Sequence, residues 1–452
     1  MNEVKKSPKL KRKVSLFALT IYGVGNVLGA GIYALIGQVV GITGNLSWLA
    51  FILAAITGAF TGLSYAELSA MYPKSAAEFV YTEEAFKVRI LSFILGWIII
   101  FSGIFSAATV ALGFAGYISE ILGFDLAIIK IIFAIALILE LSIINFIGIK
   151  TSTWTNVIFT LIEAFGLIFI IVIGIPKFGT VNYYELPTLS VMPILSAVAL
   201  IFFAYIGFED IANIAEEVKE PQRNLPKGII YSIIITTVLY CLTALSVVSI
   251  APYSDIANSE APLNYVARVA IGPIGGIIMS IIALFATANT VLIMLIVTSR
   301  MMYGMARDKA LPESLCKISR TYRTPTISVL LTMIFAIIPV FFGDIEIVAQ
   351  ATVFGVLITF FLVNISLIAL RRSRPDAERP FKLKPSISWV PLVALFGAII
   401  CLSLLFTFNW LIVLIQIIII ACGIVVFYVM KYVTKIETKA LSKIQAKSTT
   451  NK

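Results

Sequence analysis

The stretch Leu19-Thr-Ile-Tyr-Gly23-Val-Gly25-Asn26-Val27-Leu28-Gly29-Ala30-Gly31-Ile32-Tyr33 places four glycines in nine residues of an otherwise apolar run. Each glycine costs a helix interior ~1 kcal/mol relative to alanine, so a helix through this stretch is weakest at its middle. Two readings stand. Gly25 and Gly29 have the spacing of a helix-packing face. Alternatively, the chain unwinds around Gly29, Ala30 and Gly31 and leaves main-chain groups lining a buried cavity, a setting in which irregular backbone is tolerated at membrane depth. A dinucleotide fingerprint is excluded, because the spacing is one residue too long and no strand precedes it.

The medium around that stretch follows from composition. Of 452 residues, 60% are hydrophobic and 13% charged, against roughly 25% charged in a soluble domain. Mean hydropathy is +1.02. Apolar runs near the ~20 residues needed to cross a bilayer recur along the chain. They are placed at 15–41, 45–70, 90–120, 125–147, 153–175, 191–216, 228–251, 270–302, 325–342, 345–370, 387–408 and 410–433. The sequence therefore predicts an all-α integral membrane protein with twelve transmembrane helices.

Charge supports that reading. Of the 34 Lys and Arg, all but Lys130, Lys177 and Arg268 fall on one side when the termini are placed together. The positive-inside rule makes that side cytoplasmic, in a plasma membrane protein with both termini inside. The net charge of +10 is then explained by loops facing anionic lipid, and nucleic acid is not expected as a partner. There is no histidine, so no imidazole is available as base or metal ligand. Cys241, Cys316, Cys401 and Cys422 show no metal or redox spacing and read as small hydrophobes. None is extracellular, so no disulfide-linked accessory chain is expected. No cleavable signal peptide is visible. Trp48, Trp154, Trp389 and Trp410 lie near span ends, as belt anchors do. Asn45 heads an acceptor-like triplet against the start of a span and carries no weight.

The sixth span is interrupted as well. Ile201-Phe-Phe203-Ala204-Tyr-Ile206-Gly207-Phe-Glu209-Asp210 sets a glycine and two carboxylates into an apolar run, and acids within a span are functional candidates by default. Spans one and six each open a possible five-helix repeat, and five is odd, so the two repeats are inverted. Interrupted helices at corresponding places in two halves point to a carrier's central site. Free N–H groups at a half-helix start attract a carboxylate, and free carbonyls at a half-helix end attract an ammonium. An α-amino acid carries both.

Several of these residues resemble the motifs of the amino acid–polyamine–organocation superfamily. Gly29-Ala30-Gly31-Ile32-Tyr33 is similar to its first-helix motif, and Phe203 to Glu209 to its sixth-helix motif. Glu220-Pro-Gln-Arg223-Asn-Leu-Pro226 resembles its acid-Pro-x-Arg-Asn-hydrophobe-Pro loop. Pro73-Lys74 with Glu78-Phe-Val-Tyr81, Arg300 to Pro312, and Arg371 to Phe381 also match. The resemblance runs from span one to the loop after span ten. It implies a five-plus-five inverted repeat (LeuT-like) of about 15–175 and 191–370, two added helices at 387–433, and cytoplasmic tails at 1–14 and 434–452. It implies that Gly29, Ala30 and Gly31, with Asn26 and Val27 beside them, hold the substrate carboxylate. Carbonyls around Phe203, Ala204, Ile206 and Gly207 would then hold the amino group. Phe203 stands where relatives place an aromatic gate, and the bland alternative is apolar packing.

Ala30 departs from the family's usual Ser or Thr. Span five carries Glu163 where proton-coupled relatives place a lysine. A carboxyl group in low dielectric keeps its proton until water or a cation reaches it, so Glu163 is expected to couple transport to protons. Its rivals are a sodium site with Thr287 and first-helix carbonyls, a partner for a cationic substrate, and a structural acid bonded to Asn26 or a hydroxyl. Glu209 is expected to tether the broken helix, with pH sensing as the alternative. The expected function is proton-coupled symport of an amino acid by alternating access. An exchanger, a polyamine carrier, and a channel-like or receptor protein on the same fold are the alternatives. No cofactor is expected beyond a coupling proton or sodium ion. No P-loop, nucleophile elbow or HExxH is present, so neither ATP-driven pumping nor enzymatic chemistry is supported.

Overall fold

The structure is a computed structural model. It describes residues 14–450 apart from 75–76, 124–125, 148–152, 188–190, 214, 216–217 and 320–323, with backbone alone for 153–158, 191 and 433–450. The chain begins as α1 (Leu16–Leu28), capped by the Ser15 hydroxyl, which accepts from the Ala18 N–H at 3.3 Å. After a two-residue gap it resumes as α2 (Gly31–Thr43), and a turn at Gly44 leads into α3 (Ser47–Met71). The short α4 (Ala77–Phe86) and the long α5 (Arg89–Leu122) follow, then α6 (Ala127–Ile147) and α7 (Thr153–Gly174). α8 (Val191–Ile201) tightens into a 3-10 turn at Phe202–Tyr205 before the single-turn α9 (Asp210–Asn213). Next come α10 (Pro221–Ile250), the short α11 (Tyr253–Ala257) and α12 (Pro262–Ile271), and α13 (Pro273–Arg307). α14 (Thr326–Val340) and α15 (Ile345–Ser373) precede a small hairpin of β1 (Ser386–Ile387) and β2 (Val390–Pro391). α16 (Leu392–Leu405) and α17 (Trp410–Thr450) close the chain.

Among the described residues, nine helical stretches are long and apolar enough to cross a membrane. Leu16–Leu28, Thr326–Val340 and Leu392–Leu405 are shorter apolar helices. Four boundaries differ from the sequence reading, the first being the span expected from 387, where the β1–β2 hairpin delays the helix to Leu392. The helix expected from 228 starts at Pro221, because a first-turn proline has no intrahelical N–H bond to lose. The span expected at 270–302 is cut at Gly272, whose φ of +81 ends α12, and restarts at Pro273. The last helix continues through most of the segment expected as a tail. Of the expected basic residues, those at 1–13, Lys150, Arg320, Arg323 and Lys452 lie outside the described residues. Val14, at the end of the expected tail, forms a parallel bridge to Val218, and the Lys219 N–H donates to the Val14 carbonyl at 2.9 Å.

α3 packs along α10 and α16, α5 runs between α13 and α15, and α1 lies against α10 and α7. Two helices stand at the rim. The apolar windows of α6 and α17 are 28% and 22% buried, against 67% in α15. Their exposed Ile128, Ile132, Ile417 and Val425 form faces suited to lipid tails.

One end of the bundle is riveted by ions. Glu67, in the last two turns of α3, accepts from Arg371 Nε at 2.9 Å and also from Arg371 Nη2. The Leu383 N–H donates to it at 2.8 Å, and Arg379 Nε stands 3.4 Å away. Arg371 also donates to the Ser386 hydroxyl, and Arg374 pairs with Glu84 of α4 at 2.9 Å. The loop behind α15 is thereby fastened to α3 and α4. Paired charges of this kind persist in an interior because each desolvated group has partners.

Candidate functional site

The two glycine-bearing interruptions are real gaps in the helices, and they meet. Gly29 ends α1, and Ala30 precedes α2. Beyond the 3-10 turn, Ile206 is extended and Gly207 takes φ +124, a conformation open to glycine without strain. A Cβ on Gly207 would stand 2.7 Å from the Asn26 carbonyl oxygen, and one on Gly31 would stand 2.7 Å from Ala204 Cα. Both glycines therefore let one main chain touch another.

Helix ends leave N–H and C=O groups without intrahelical partners. Side chains from other helices take several of them. The Ala30 N–H donates to Thr290 Oγ1 at 3.0 Å. The carbonyls of Val27 and Ala204, one from each broken helix, lie 2.6 and 3.0 Å from the Tyr240 hydroxyl. That hydroxyl has one proton to donate, so the two carbonyls share it. The Gly207 N–H donates to Glu209 Oε2 at 2.9 Å, which makes Glu209 a clasp across the second break. The Ile206 N–H donates to the Phe203 carbonyl at 3.3 Å. Phe203 and Ala204 are buried and Ile206 is half-buried.

Glu163 of α7 is buried. Its Oε1 accepts from Asn289 Nδ2 at 3.3 Å, while Oε2 has no hydrogen-bond partner among the described residues. Its main-chain carbonyl accepts from the Tyr33 hydroxyl at 2.5 Å. Tyr33 is the third residue of α2, and Asn289 directly precedes the Thr290 that holds Ala30. The acid is thus joined to the first break by two short routes. The partners differ from those the sequence suggested. Asn26 Nδ2 donates to Asp210 Oδ2 at 3.4 Å, so it serves the second break. The Thr287 hydroxyl donates within its own helix, to Ala283 at 2.7 Å or Leu284 at 3.1 Å.

Sequence reasoning missed Tyr240, Asn289 and Thr290. A signal existed: a tyrosine hydroxyl in an apolar span needs a partner, and broken helices supply carbonyls. Tyr205, which donates to the Phe51 carbonyl at 3.1 Å, and Tyr117, which donates to the Tyr33 carbonyl at 2.9 Å, follow the same logic.

Beside the second break, Glu78 of the short helix α4 is buried and accepts from the Tyr65 hydroxyl at 3.1 Å. Burial pushes its carboxyl up to about 7, with the charge of Asp210 adding to the rise and hydrogen bonds, Tyr65's among them, opposing it.

Against this geometry, the comparisons with known proteins agree with one another. A family model described as amino acid permease matches residues 14–427. The branched-chain amino acid permease BcaP of Bacillus subtilis (strain 168) is 28% identical over 439 residues, 93% of each chain. The methylthioribose transporter of the same organism is 29% identical over 441 residues, 94% of each chain. The cationic amino acid transporter 3, mitochondrial, of Arabidopsis thaliana is 29% identical over 394 residues, 82% of this chain and 64% of that protein.

Proposed function

The chain belongs to the amino acid permease family, and from that premise we propose that it carries an amino acid by alternating access, binding it between the two helix breaks and coupling it to a proton at Glu163. The observation that carries this reading is the contact of the breaks, with Gly31 set against Ala204. The substrate carboxylate lies at the start of α2, where the first-turn N–H groups and the helix dipole favour an anion. Its ammonium lies toward the carbonyls of Phe203 to Ile206. Glu163 has one oxygen without a partner among the described residues and two links to the first break, so a proton bound there is felt where the substrate sits.

In this reading α1 with α2, and α8 with α9, are each one broken crossing. With α3, α5, α6, α7, α10, α13, α14, α15, α16 and α17 they make twelve, arranged as inverted repeats at about 15–175 and 191–370 with two added helices. The termini and the Glu67 rivet face the cytoplasm of a plasma membrane protein, as the distribution of Lys and Arg favours. The relatives' names span branched-chain and cationic amino acids and methylthioribose. One observation favours a cationic cargo as the second reading: the open oxygen of Glu163 suits a cationic side chain as well as a proton.

Proteoliposomes test both. Labelled leucine, lysine and methylthioribose are offered with and without an inward proton gradient. Saturable, gradient-stimulated leucine uptake with counterflow supports the first reading. Lysine uptake that ignores the gradient supports the second. Flux that shows neither saturation nor counterflow sinks the carrier assignment.

A further inference from the structure

Two segments that the substrate site leaves unused meet at the N-terminal end of α10. Gln222 and Arg223 from its first turn and Phe381 from the loop behind α15 line one cavity of about 330 Å³, together with Pro226, Lys227 and Ile230. The wall is two-sided. Arg223 and Lys227 bring positive charge, the described residues that line the cavity include no carboxylate, and the remaining surface is mostly apolar. Among the described residues, Glu220 pairs with Arg223 at 3.9 Å, with both side chains about 70% exposed. Such a pair is weak and screened, so the guanidinium is available to another anion.

The cavity also leads somewhere. Along α10, Ile234 and Val238 follow Ile230 at four-residue intervals, which puts them on one helix face. Both are exposed, although they lie in an apolar helix of membrane-crossing length. A cationic mouth thus continues into an apolar stripe along the outside of the bundle. Free phosphate has no use for the stripe, and a neutral lipid has no use for the cations. Basic pockets at helix ends beside the bilayer are sites for anionic headgroups.

We propose that this cavity binds an anionic phospholipid, with its phosphate between Arg223 and Lys227 and an acyl chain along Ile234 and Val238. The bound lipid bridges the start of α10 to the loop that Glu67 and Arg371 fasten behind α15. Its assignment to the cytoplasmic leaflet rests on the orientation proposed above; the binding itself does not.

The test is lipid titration of the purified full chain followed by native mass spectrometry, with no transport substrate present. Phosphatidylglycerol is expected to bind about thirtyfold more weakly to the double variant Arg223→Gln, Lys227→Gln, the combined worth of two basic side chains against an anionic headgroup. The exchange Arg223→Lys, Lys227→Arg is expected to keep binding within about threefold. Should the double variant fail to fold, Lys227→Gln alone is expected to lose about fivefold. Unchanged phosphatidylglycerol binding in the glutamine variants overturns the proposal. So does phosphatidylcholine binding as tightly as phosphatidylglycerol, or glycerol phosphate displacing the lipid at equal concentration, which would make the site one for a free anion. Uptake assays on the same preparations fail or succeed independently of this readout.

Discussion

Glu67 and Glu163 are both buried carboxylates in apolar helices, 0% and 1% exposed, and they are held in opposite ways. Glu67 has Arg371 on both oxygens, the Leu383 N–H on one and Arg379 beside the other. Glu163 has one amide on one oxygen and, among the described residues, nothing on the other. A fully coordinated buried charge is fixed, because removing any partner strands the rest without solvent. A carboxyl group with one oxygen open can change its proton or its partner without dismantling its surroundings. Position follows the same division. Glu67 ties a loop to the end of the bundle, and Glu163 stands beside the break where two main chains touch.

The largest effect that would break this comparison lies at the rivet. Arg371→Ala is expected to destabilise the protein by about 3–5 kcal/mol, because it strips Glu67 of its two guanidinium hydrogen bonds and leaves it buried with Arg379 and the Leu383 N–H alone. Thermal unfolding in detergent reads it, and Glu163→Gln in the same assay is expected to stay close to the parent. Equal losses at both sites would erase the distinction.

Glu78 sharpens it through pH. Its carboxyl is raised to about 7 in the folded protein, while an unfolded chain ionises nearer the ordinary 4.5. As pH rises, the unfolded state gives up its proton first. The stabilisation is therefore whole below about 4.5 and is lost as pH climbs through about 7. Glu78→Gln is expected to flatten the decline of stability over that window by up to about 1.4 kcal/mol per pH unit. An unchanged slope would show that the group does not titrate there.

Gly31→Ala is expected to cut transport at least about tenfold by forcing the two breaks apart, the ordinary ~1–3 kcal/mol cost of overpacking. Initial uptake rates check it, with a cooperative, modestly lowered melting transition as the control that the variant still folds. Tyr240→Phe removes the one proton shared by the Val27 and Ala204 carbonyls and is expected to weaken apparent substrate affinity by about threefold to tenfold. An affinity equal to the parent's would show that the breaks keep their geometry without that clasp.

Much of this arrangement is legible in the amino-acid sequence. Helical spans follow from apolar length, and the two interruptions follow from glycines where helices can least carry them. Gly31 and Gly207 were visible as candidates; that each marks contact between main chains was not, because contact is a property of two segments at once. The same limit hid Asn289, Thr290 and Tyr240, which lie on neighbouring helices far along the chain. It also hid the partner of Asn26, whose amide bonds to Asp210 and not to Glu163. Helix edges failed where proline and glycine conflict with hydropathy, as at Pro221 and Gly272. The Glu67 rivet is hidden for a related reason: its arginines read as loop charges and as part of a family motif, and neither reading names the partner on α3.

The most direct test of the coupling role is Glu163→Gln in proteoliposomes, with uptake driven by an acid exterior and counterflow measured on the same vesicles. Counterflow is expected to persist and gradient-driven accumulation to disappear. Accumulation that still follows the proton gradient in this variant would contradict the coupling role.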